Sequence, residues 1–364
     1  MFRAVLIFAI AVLATLIAVE SGPVQSCCPA PPSGKPVVNA DQTVILLWDA
    51  ATKTEHFIRR ASFKSEADDF GFLIPSPSKP ELAESGNDAF PTLQKLTEPE
   101  VVQRPYPKGG SGGCACDAAK HAMPAASAPD HVSVLEQKVV AGFDASVLEA
   151  TSATALTDWL RDHGYAYSPE IAVWAKPYVD AGWKVTALKV AKSADGKTDK
   201  QVTASALRLS FQTDRPLFPY REPDPTSAAQ TLGANHRLLR IYFLSNERVR
   251  GEMTKEAPWT GRVAWAGRVS PEHRTKVLEQ LRLPDANVPK DWWLTEFEDN
   301  WPYKAAPADV YFARDPDQRE QKREPIAEYV AVPRPPDGSA FLMVGAIALT
   351  ALAPRWRRWS RNLI

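Results

Sequence analysis

The sequence has no excess of charge of either sign and contains few cysteine and histidine residues. Its 364 residues include 43 basic and 43 acidic side chains, 6 histidines and 4 cysteines. Because nucleic-acid binding needs a basic surface, this balance argues against a nucleic-acid partner. The hydrophobic fraction of 45% and the charged fraction of 24% are typical of folded proteins, which excludes a wholly disordered chain.

The sequence also lacks the local motifs that carry metal-protease or nucleotide chemistry. It contains no His-Glu-x-x-His zinc motif and no phosphate-binding loop. The glycine-rich stretch 109–113 is not followed by Lys-Ser or Lys-Thr, so we interpret it as part of a linker. We therefore predict no cofactor and no metal site, and we assign no catalytic residue.

Proline, in contrast, is abundant. Prolines make up 32 of the 364 residues, a share well above the average of about 5%. Because proline interrupts helices and is confined to the edges of sheets, this predicts many loops and edge strands and few long helices.

The N-terminus has the features of a secretory signal. Arg3 precedes an apolar run at 4–19, and small residues lie before Cys27. We predict a signal peptide over 1–26 and an exported mature chain. Residues 24–27 also approximate a lipobox, so a lipoprotein with lipidated Cys27 is an alternative interpretation.

The C-terminus carries a second apolar run at 340–353. It is shorter than the roughly 20 residues that span a bilayer, so a buried core helix is one interpretation. Interleaved tryptophans and a basic cluster follow it, formed by Arg355, Arg357, Arg358 and Arg361. Since such clusters mark the cytoplasmic edge of a span, we predict a single transmembrane helix at 339–359 and a cytoplasmic tail at 360–364. The body would then lie in the periplasm or at the cell surface. This tail also resembles bacterial sorting tails that are sometimes removed after export.

The four cysteines would all lie outside the cytoplasm, where disulfides persist. They form two pairs, Cys27 with Cys28 and Cys114 with Cys116. Pairing within each pair would close tight, strained rings, so cross-pairing is the easier geometry. A zinc site with His121 is an alternative, but Cys-x-Cys is not a usual structural-zinc spacing.

Strand and helix patterns predict an α+β, antiparallel-sheet-rich body with a few short helices. The predicted parts are a β-rich part at 27–107, a linker or insertion at 108–130, an α+β part at 131–312 and a charged, proline-rich stalk at 313–338. Within the first part, 75–107 is expected to be rich in loops. Predicted strands cover 43–48, 52–63, 70–74, 132–140, 183–190, 203–212 and 238–244, and predicted helices cover 153–163, the segment after Pro169, and 271–283.

An aromatic cluster lies near three acidic residues toward the end of the body. It consists of Trp292, Trp293, Phe297 and Trp301, close to Glu296, Glu298 and Asp299. These tryptophans either form a contact surface for a sugar or polymer or pack in the core.

Several motifs recur in an order that resembles a bacterial exported family, the domain of unknown function 2330. They are Phe70-Gly-Phe-Leu-Ile-Pro-Ser-Pro77, Asp158-Trp-Leu160, His163-Gly-Tyr165 and Gly182-Trp-Lys-Val-Thr-Ala-Leu-Lys189. The resemblance covers about residues 27–250. It implies early cysteines, a later cysteine-glycine cluster and a C-terminal anchor, but it implies no activity.

Two functional hypotheses follow. The first is an anchored, extracytoplasmic binding or structural module. The second is an exported hydrolase whose site is assembled from residues distant in sequence. A pocket with converging acids or histidines would favour the hydrolase.

Overall fold

The structure is a computed structural model that describes residues 28–30, 42–60, 71–105, 131–165, 169–190, 205–223, 236–285, 288–302 and 306–330. The strands are β1 (Cys28–Ala30), β2 (Gln42–Asp49), β3 (Thr54–Arg59), β4 (Gly71–Ser76), β5 (Glu81–Ser85), β6 (Val101–Pro105), β7 (Val132–Val140), β8 (Phe143–Ala150), β9 (Lys184–Val190), β10 (Ala206–Gln212), β11 (Leu217–Phe218), β12 (His236–Ser245), β13 (Val249–Glu252), β14 (Arg262–Val269), β15 (Trp292–Pro302), β16 (Val310–Arg314) and β17 (Ile326–Val330). The helices within these ranges are α1 (Ala89–Thr97), α2 (Ala153–Asp162), α3 (Pro169–Asp180) and α4 (Pro271–Leu281).

The chain divides into two units, of which the first comprises 1–98 and 121–323. It contains a seven-stranded sheet in the order β14-β15-β12-β2-β3-β10-β5, a five-stranded sheet in the order β1-β4-β9-β8-β7, and a three-stranded sheet in the order β11-β16-β13. All neighbouring strands in these sheets are antiparallel except β12 and β2, which are parallel. The predicted α+β class with antiparallel-rich sheets is confirmed.

Three hydrophobic cores hold the first unit together. The largest lies among the three sheets and is built from alternate residues of their strands, such as Leu46, Phe143 and Phe312. A second core joins the other face of the seven-stranded sheet to α1 and α4. A third joins the five-stranded sheet to α2 and α3. Because both large sheets are covered on two faces, their strands contain apolar runs as well as alternating patterns.

The second unit comprises 99–120 and 324–364. Its described part is a parallel pair formed by β6 and β17, in which Ile326 lies opposite Val101. Both of these side chains are exposed.

The two parts predicted at 27–107 and 131–312 do not form separate sheets. Strands β2, β3 and β5 come from the first part, and they share the seven-stranded sheet with β10, β12, β14 and β15 from the second. Pairing between strands distant in sequence leaves no local signal, which is why composition alone suggested a boundary.

Two segments are more ordered than their composition indicated. The stretch 75–107, expected to be rich in loops, contains β5, α1 and β6. Helix α1 tolerates Pro91 because this proline lies in the first turn, where a backbone N–H would have no acceptor within the helix. Residues 314–323, expected to belong to a solvated stalk, form part of the first unit.

Several local predictions are confirmed. Helix α2 begins after Ser152, whose side chain accepts a hydrogen bond from the backbone N–H of Ala155 at 3.2 Å. Helix α4 ends two residues earlier than the apolar pattern suggested, because Arg282 adopts a left-handed conformation with φ of 54°. A proline in a helix interior normally kinks or ends the helix, and Pro177 lies inside α3, which continues to Asp180.

Alternation along β10 places Arg208 on the face opposite Leu207 and Leu209, and its side chain is buried there. Its NH1 donates to the backbone carbonyls of Leu281 at 3.3 Å and Arg282 at 3.1 Å, so it caps the C-terminus of α4.

Within the described residues, no helix is long and apolar enough to cross a membrane. The predicted signal peptide (1–26) and the predicted transmembrane helix (339–359), with its arginine cluster, lie outside the described ranges.

Two glycines make room for the indole of Trp259 beside the largest core. The ring packs against Phe297 and Phe312 at centroid distances of 5.3 and 6.0 Å. A Cβ atom placed on Gly251 or on Gly261 would overlap this ring. The two positions are therefore glycine because of the tryptophan and not because of their backbone angles.

Replacing Gly251 with alanine should lower the free energy of unfolding by about 1–3 kcal/mol, the usual cost of overpacking. The cost should fall sharply in a Trp259→Leu background, because the smaller side chain leaves space for the new methyl group. Urea unfolding of the four proteins in this double-mutant cycle measures the coupling. An equal cost in both backgrounds would show that the ring does not set the requirement.

Candidate functional site

Strand β15 carries three acidic side chains into the interior of the first unit. Side chains alternate along a strand, so Glu296 and Glu298 lie on the face of Leu294, toward α1 and α4, and Asp299 lies on the face of Phe297. Glu296 and Asp299 are only 1% and 2% exposed. Acids buried this deeply need partners, and they are the natural place to look for chemistry.

Three arginines surround Glu296 and Glu298. The Arg323 NH2 group donates to Glu296 Oε1 and to Glu298 Oε1, at 2.7 Å in each case. Arg240 places Nε 2.9 Å from Glu296 Oε1 and donates from NH2 to Glu298 Oε1 at 3.0 Å. Arg262 donates to Glu298 Oε2 at 2.8 Å. The two carboxylates are therefore held by guanidinium groups from β12, β14 and the segment after β16.

The two glutamates respond differently to this environment. Burial is the main influence on Glu296 and raises its pKa, although the charge of Arg323 and other nearby groups opposes the shift. For Glu298, burial also acts to raise the pKa, but hydrogen bonds from Arg323 and Arg240 outweigh it and the pKa is lowered. Burial, with the nearby charge of Glu296, raises the pKa of Tyr242 to about 12. The cluster is an ion-pair network in which Glu296 Oε1 and both carboxylate oxygens of Glu298 face guanidinium groups.

Asp299 accepts hydrogen bonds from three side chains on the opposite face of the sheet. The hydroxyl of Tyr220 donates at 2.7 Å, the indole Nε1 of Trp259 at 3.0 Å and the hydroxyl of Thr260 at 2.7 Å. These donors come from two loops, so the carboxylate fixes both loops to β15.

Asp309 repeats this arrangement just before β16. It accepts from the hydroxyl of Tyr178 at 2.7 Å and from the backbone N–H groups of Tyr220 at 3.0 Å and Arg221 at 3.2 Å. Burial raises the pKa of Asp309, although these hydrogen bonds oppose the shift. Tyr220 bonds to Asp309 through its backbone and to Asp299 through its hydroxyl, so one polar network connects α3 to the large sheet.

Residues 315–323, which we call the strap, lie along the edge strand β14. Gln321 and Ala266 exchange two backbone hydrogen bonds of 2.8 Å each, and the Gln321 side chain donates to the carbonyl of Val263 at 2.6 Å. Arg248, a buried side chain, donates to the carbonyl of Arg319 at 2.7 Å and to Gln321 Oε1 at 3.1 Å. The strap thus covers part of an otherwise open sheet edge.

Arg248 also faces the first residue of the strap. Its Nε lies 3.1 Å from Asp315 Oδ2, and its carbonyl accepts from the backbone N–H of Asp315 at 2.9 Å. The strap therefore begins at one arginine–carboxylate pair and ends at another, the pairing of Arg323 with β15.

A histidine and a serine meet on the helix-covered face of the large sheet. His56 Nδ1 lies 2.8 Å from Ser210 Oγ, although the two residues are 154 positions apart in sequence. Glu81 lies opposite Ser210 on the next strand. The order across the sheet is therefore His–Ser–Glu, whereas a catalytic triad places the acid on the histidine.

Glu55 is an acid held within the largest core. It is fully buried between Trp48 and Phe211 on the neighbouring strands. Its Oε2 accepts from the backbone N–H of Leu217 at 2.8 Å. Burial, opposed only in part by this hydrogen bond, raises the pKa of Glu55 to about 8. The side chain is therefore a neutral carboxylic acid at neutral pH.

The structure places two of the three tryptophans of the predicted aromatic contact surface in the interior. Trp292 and Trp293 are 2% and 4% exposed and pack in the interior, because β15 is covered on both faces. They therefore take the core-packing alternative. Trp301 lies near the end of β15, and its side chain is outside the described part.

Of the other predicted site residues, only Cys28 lies within the described ranges. Cys28 begins β1, opposite Leu73 of β4. Cys27, Cys114 and Cys116 lie outside the described ranges, as do Arg355, Arg357, Arg358 and Arg361. Among the described side chains, no group of three or more His, Cys, Asp or Glu is placed to hold a metal ion.

Comparison with known proteins gives one family match. Residues 22–312 match a family described as an uncharacterized protein conserved in bacteria, DUF2330. The chain belongs to the DUF2330 family. The match extends the resemblance noted from the motifs, and it includes β15 and the start of β16. No curated protein matches the sequence.

One solved structure aligns with this DUF2330 chain. The crystal structure of baculovirus P35 aligns with a TM-score of 0.35 at 8% sequence identity, over 79% of this chain and 100% of that chain. A score this low shows neither a shared fold nor a shared function.

Sequence reasoning noticed the acids of β15 but missed their partners. The charged run at 314–324 was the available signal, since a strongly mixed charge pattern suits ion pairs as well as a solvated stalk. The buried acids Glu55 and Asp309 had no such signal, because each is a single polar residue among apolar ones.

Replacing Glu55 with glutamine should change how stability depends on pH. In the wild type, the folded acid keeps its proton up to about pH 8, whereas the unfolded acid loses it near its ordinary value of 4.5. The stabilising contribution is complete below pH 4.5 and is lost as the pH rises through about 8, with a slope of up to about 1.4 kcal/mol per pH unit. Glu55→Gln should lack this slope.

Urea unfolding from pH 5.5 to 8.5 tests this difference. The exposed residue Glu84, whose pKa is lowered mainly by hydrogen bonds from Ser205 and Arg282, supplies the control. Glu84→Gln should keep the wild-type slope, because Glu84 is ionised in both states over this range. Parallel curves for wild type and Glu55→Gln would mean that Glu55 is ionised in the folded protein.

Proposed function

We propose that this chain is an exported, membrane-anchored module whose body lies outside the cytoplasm and acts through binding or structural contacts. The apolar run at 4–19 supports export, and the run at 340–353 followed by arginines supports an anchor with a cytoplasmic C-terminus. Membership of DUF2330 supports a bacterial setting.

The strap is the structural observation that carries this proposal. A tethered body needs a firm connection at the point where the chain leaves it. Here the last residue of the first unit, Arg323, donates to two carboxylates on β15, and the side chain of Glu296 is 1% exposed. The chain beyond Arg323 leads toward the predicted span. The ion pairs of Arg323 thus fix the end of the first unit before the chain continues through β17 toward the proposed span.

The arrangement of the acids favours a module over an enzyme. Asp299, Asp309, Glu296 and Glu298 each accept hydrogen bonds or ion pairs from other parts of the same unit. Buried acids that are already bonded within the same unit hold strands and loops together, whereas a catalytic acid must face its substrate.

The exported-hydrolase alternative has one observation in its favour, the contact between His56 and Ser210. A nucleophile needs a base within hydrogen-bond reach, and this pair meets that condition at 2.8 Å. The position of Glu81 beside the serine argues for a structural cross-strand pair. Labelling of Ser210 by a fluorophosphonate probe, absent from His56→Ala, would favour the hydrolase instead.

Membrane fractionation of the full chain tests the proposed anchor. An arginine at the centre of a short span costs about 2.5–3.5 kcal/mol on insertion scales. Ala346→Arg should therefore move the protein from the membrane to the soluble fraction, while Ala346→Leu should leave it in the membrane. A chain truncated after Pro336 should be soluble and should unfold cooperatively, because the described strands and helices end before that residue.

Two results would contradict the proposal. Aggregation of the truncated chain would mean that the 340–353 run belongs to the core. Membrane retention of Ala346→Arg, together with an acyl mass on Cys27, would place the anchor at the N-terminus and support the lipoprotein alternative.

A further inference from the structure

Arg59 is a buried cation without a counter-ion among the described residues. It ends β3, is 4% exposed and lies on the face of the sheet that lines the largest core. Its guanidinium lies over the ring of Phe72 at 5.2 Å from the centroid. Its NH1 is buried and has no hydrogen-bond partner in the described part of the protein.

The other buried arginines all have strong acceptors. Arg248 and Arg274 face the carboxylates of Asp315 and Asp285, and Arg208 binds the carbonyls at the end of α4. A buried, unpaired charge costs several kcal/mol, so proteins normally pair or neutralise it. Arg59 is the exception within the described ranges, and a ring face compensates only part of that cost.

A second unsatisfied side chain lies beside Arg59. Gln42 begins β2, is 4% exposed, and has neither its amide nitrogen nor its amide oxygen bonded to a described residue. Val44 lies directly opposite Arg59, so Gln42 is the diagonal neighbour of Arg59 on the same face. Diagonal neighbours are about 7–8 Å apart, within reach of a shared ligand for two long side chains.

We propose that Arg59 and Gln42 form a binding site for a small oxyanion. The guanidinium and the Gln42 amide nitrogen supply donors for negatively charged oxygens, which is the pairing that arginine makes with carboxylates and phosphates. The Gln42 amide oxygen needs a donor in return. A hydroxyl-bearing oxyanion, such as hydrogen phosphate or a hydroxycarboxylate, satisfies all of these atoms at once.

The site is independent of the proposed membrane anchor. It lies within the first unit, on strands at the centre of the seven-stranded sheet. Its two side chains are held by the register of β2 against β3, so the donors are positioned before any ligand binds. Pre-positioning of this kind lowers the entropic cost of binding.

Thermal unfolding of the full chain in detergent tests the site with two probes, sodium phosphate and sodium lactate, at constant ionic strength against sodium chloride. Because a ligand that binds only the folded state stabilises it, at least one probe should give a saturable rise in Tm of about 2–4 °C. Arg59→Met should abolish that rise while keeping or increasing the Tm without the anion, since it removes an unpaired buried charge.

Two further variants make the result specific. Gln42→Leu should weaken the anion affinity about tenfold, the usual effect of losing one hydrogen bond to a charged group. Arg250→Met removes the same charge from an exposed residue that pairs with Glu252, and it should keep the full response. The probe that saturates identifies the ligand as phosphate-like or carboxylate-like.

Three results would overturn the proposal. The first is the lack of a saturable rise for either probe in the wild type. The second is an equal rise in Arg59→Met, which would show binding elsewhere. The third is a lower Tm for Arg59→Met without any anion response in the wild type, which would make Arg59 a structural residue satisfied by Phe72.

Discussion

The need to neutralise the acids of β15 organises much of the first unit. This strand lies between β14 and β12 in the large sheet and carries acids to both of its covered faces. On one face, Glu296 and Glu298 bind arginines from β12, β14 and the strap. On the other, Asp299 binds two loops. Without these partners, buried carboxylates would destabilise the sheet that they are part of.

We expect such a network to contribute more to specificity than to net stability. Apolar side chains of similar size can replace a buried ion pair at little cost, whereas removal of one partner is expensive. The acids of β15 therefore restrict how the rest of the unit can be arranged. They are satisfied only when β12 is in register, when the Trp259 loop is in place and when the strap is closed. The same commitment explains why these acids do not resemble a catalytic pair.

The parts of the fold that depend on local chemistry could be predicted from the sequence. The helix predicted at 153–163 begins where the side chain of Ser152 caps the first backbone N–H groups, a local interaction that does not depend on where the helix lies. The apolar run 43–48 predicted β2 because a short apolar run of this length matches a buried strand. The cysteine pairing and both membrane-directed segments remain predictions, since three of the four cysteines and both segments lie outside the described ranges.

The parts that depend on contacts between distant residues could not be predicted. Strand alternation alone would place Arg208 on an exposed face, but the end of α4 covers that face and supplies carbonyl acceptors. Residues 314–324 have the composition of a stalk, and only the buried acids of a distant strand explain why they are held. Trp292 and Trp293 were ambiguous because a buried and a binding tryptophan have the same local sequence signal.

The central claim, that the acids of β15 hold the strap on the body, is tested most directly by amide hydrogen exchange. The backbone N–H groups of Gln321 and Ala266 each donate to the backbone carbonyl of the other residue at 2.8 Å. Both amides should therefore be protected as strongly as the hydrogen-bonded amides between β12 and β15. In Arg323→Met both amides should lose protection, while Arg319→Met, which alters an exposed pair with Asp317, should leave them protected. Fast exchange of Gln321 in the wild type, or unchanged protection in Arg323→Met, would contradict the claim.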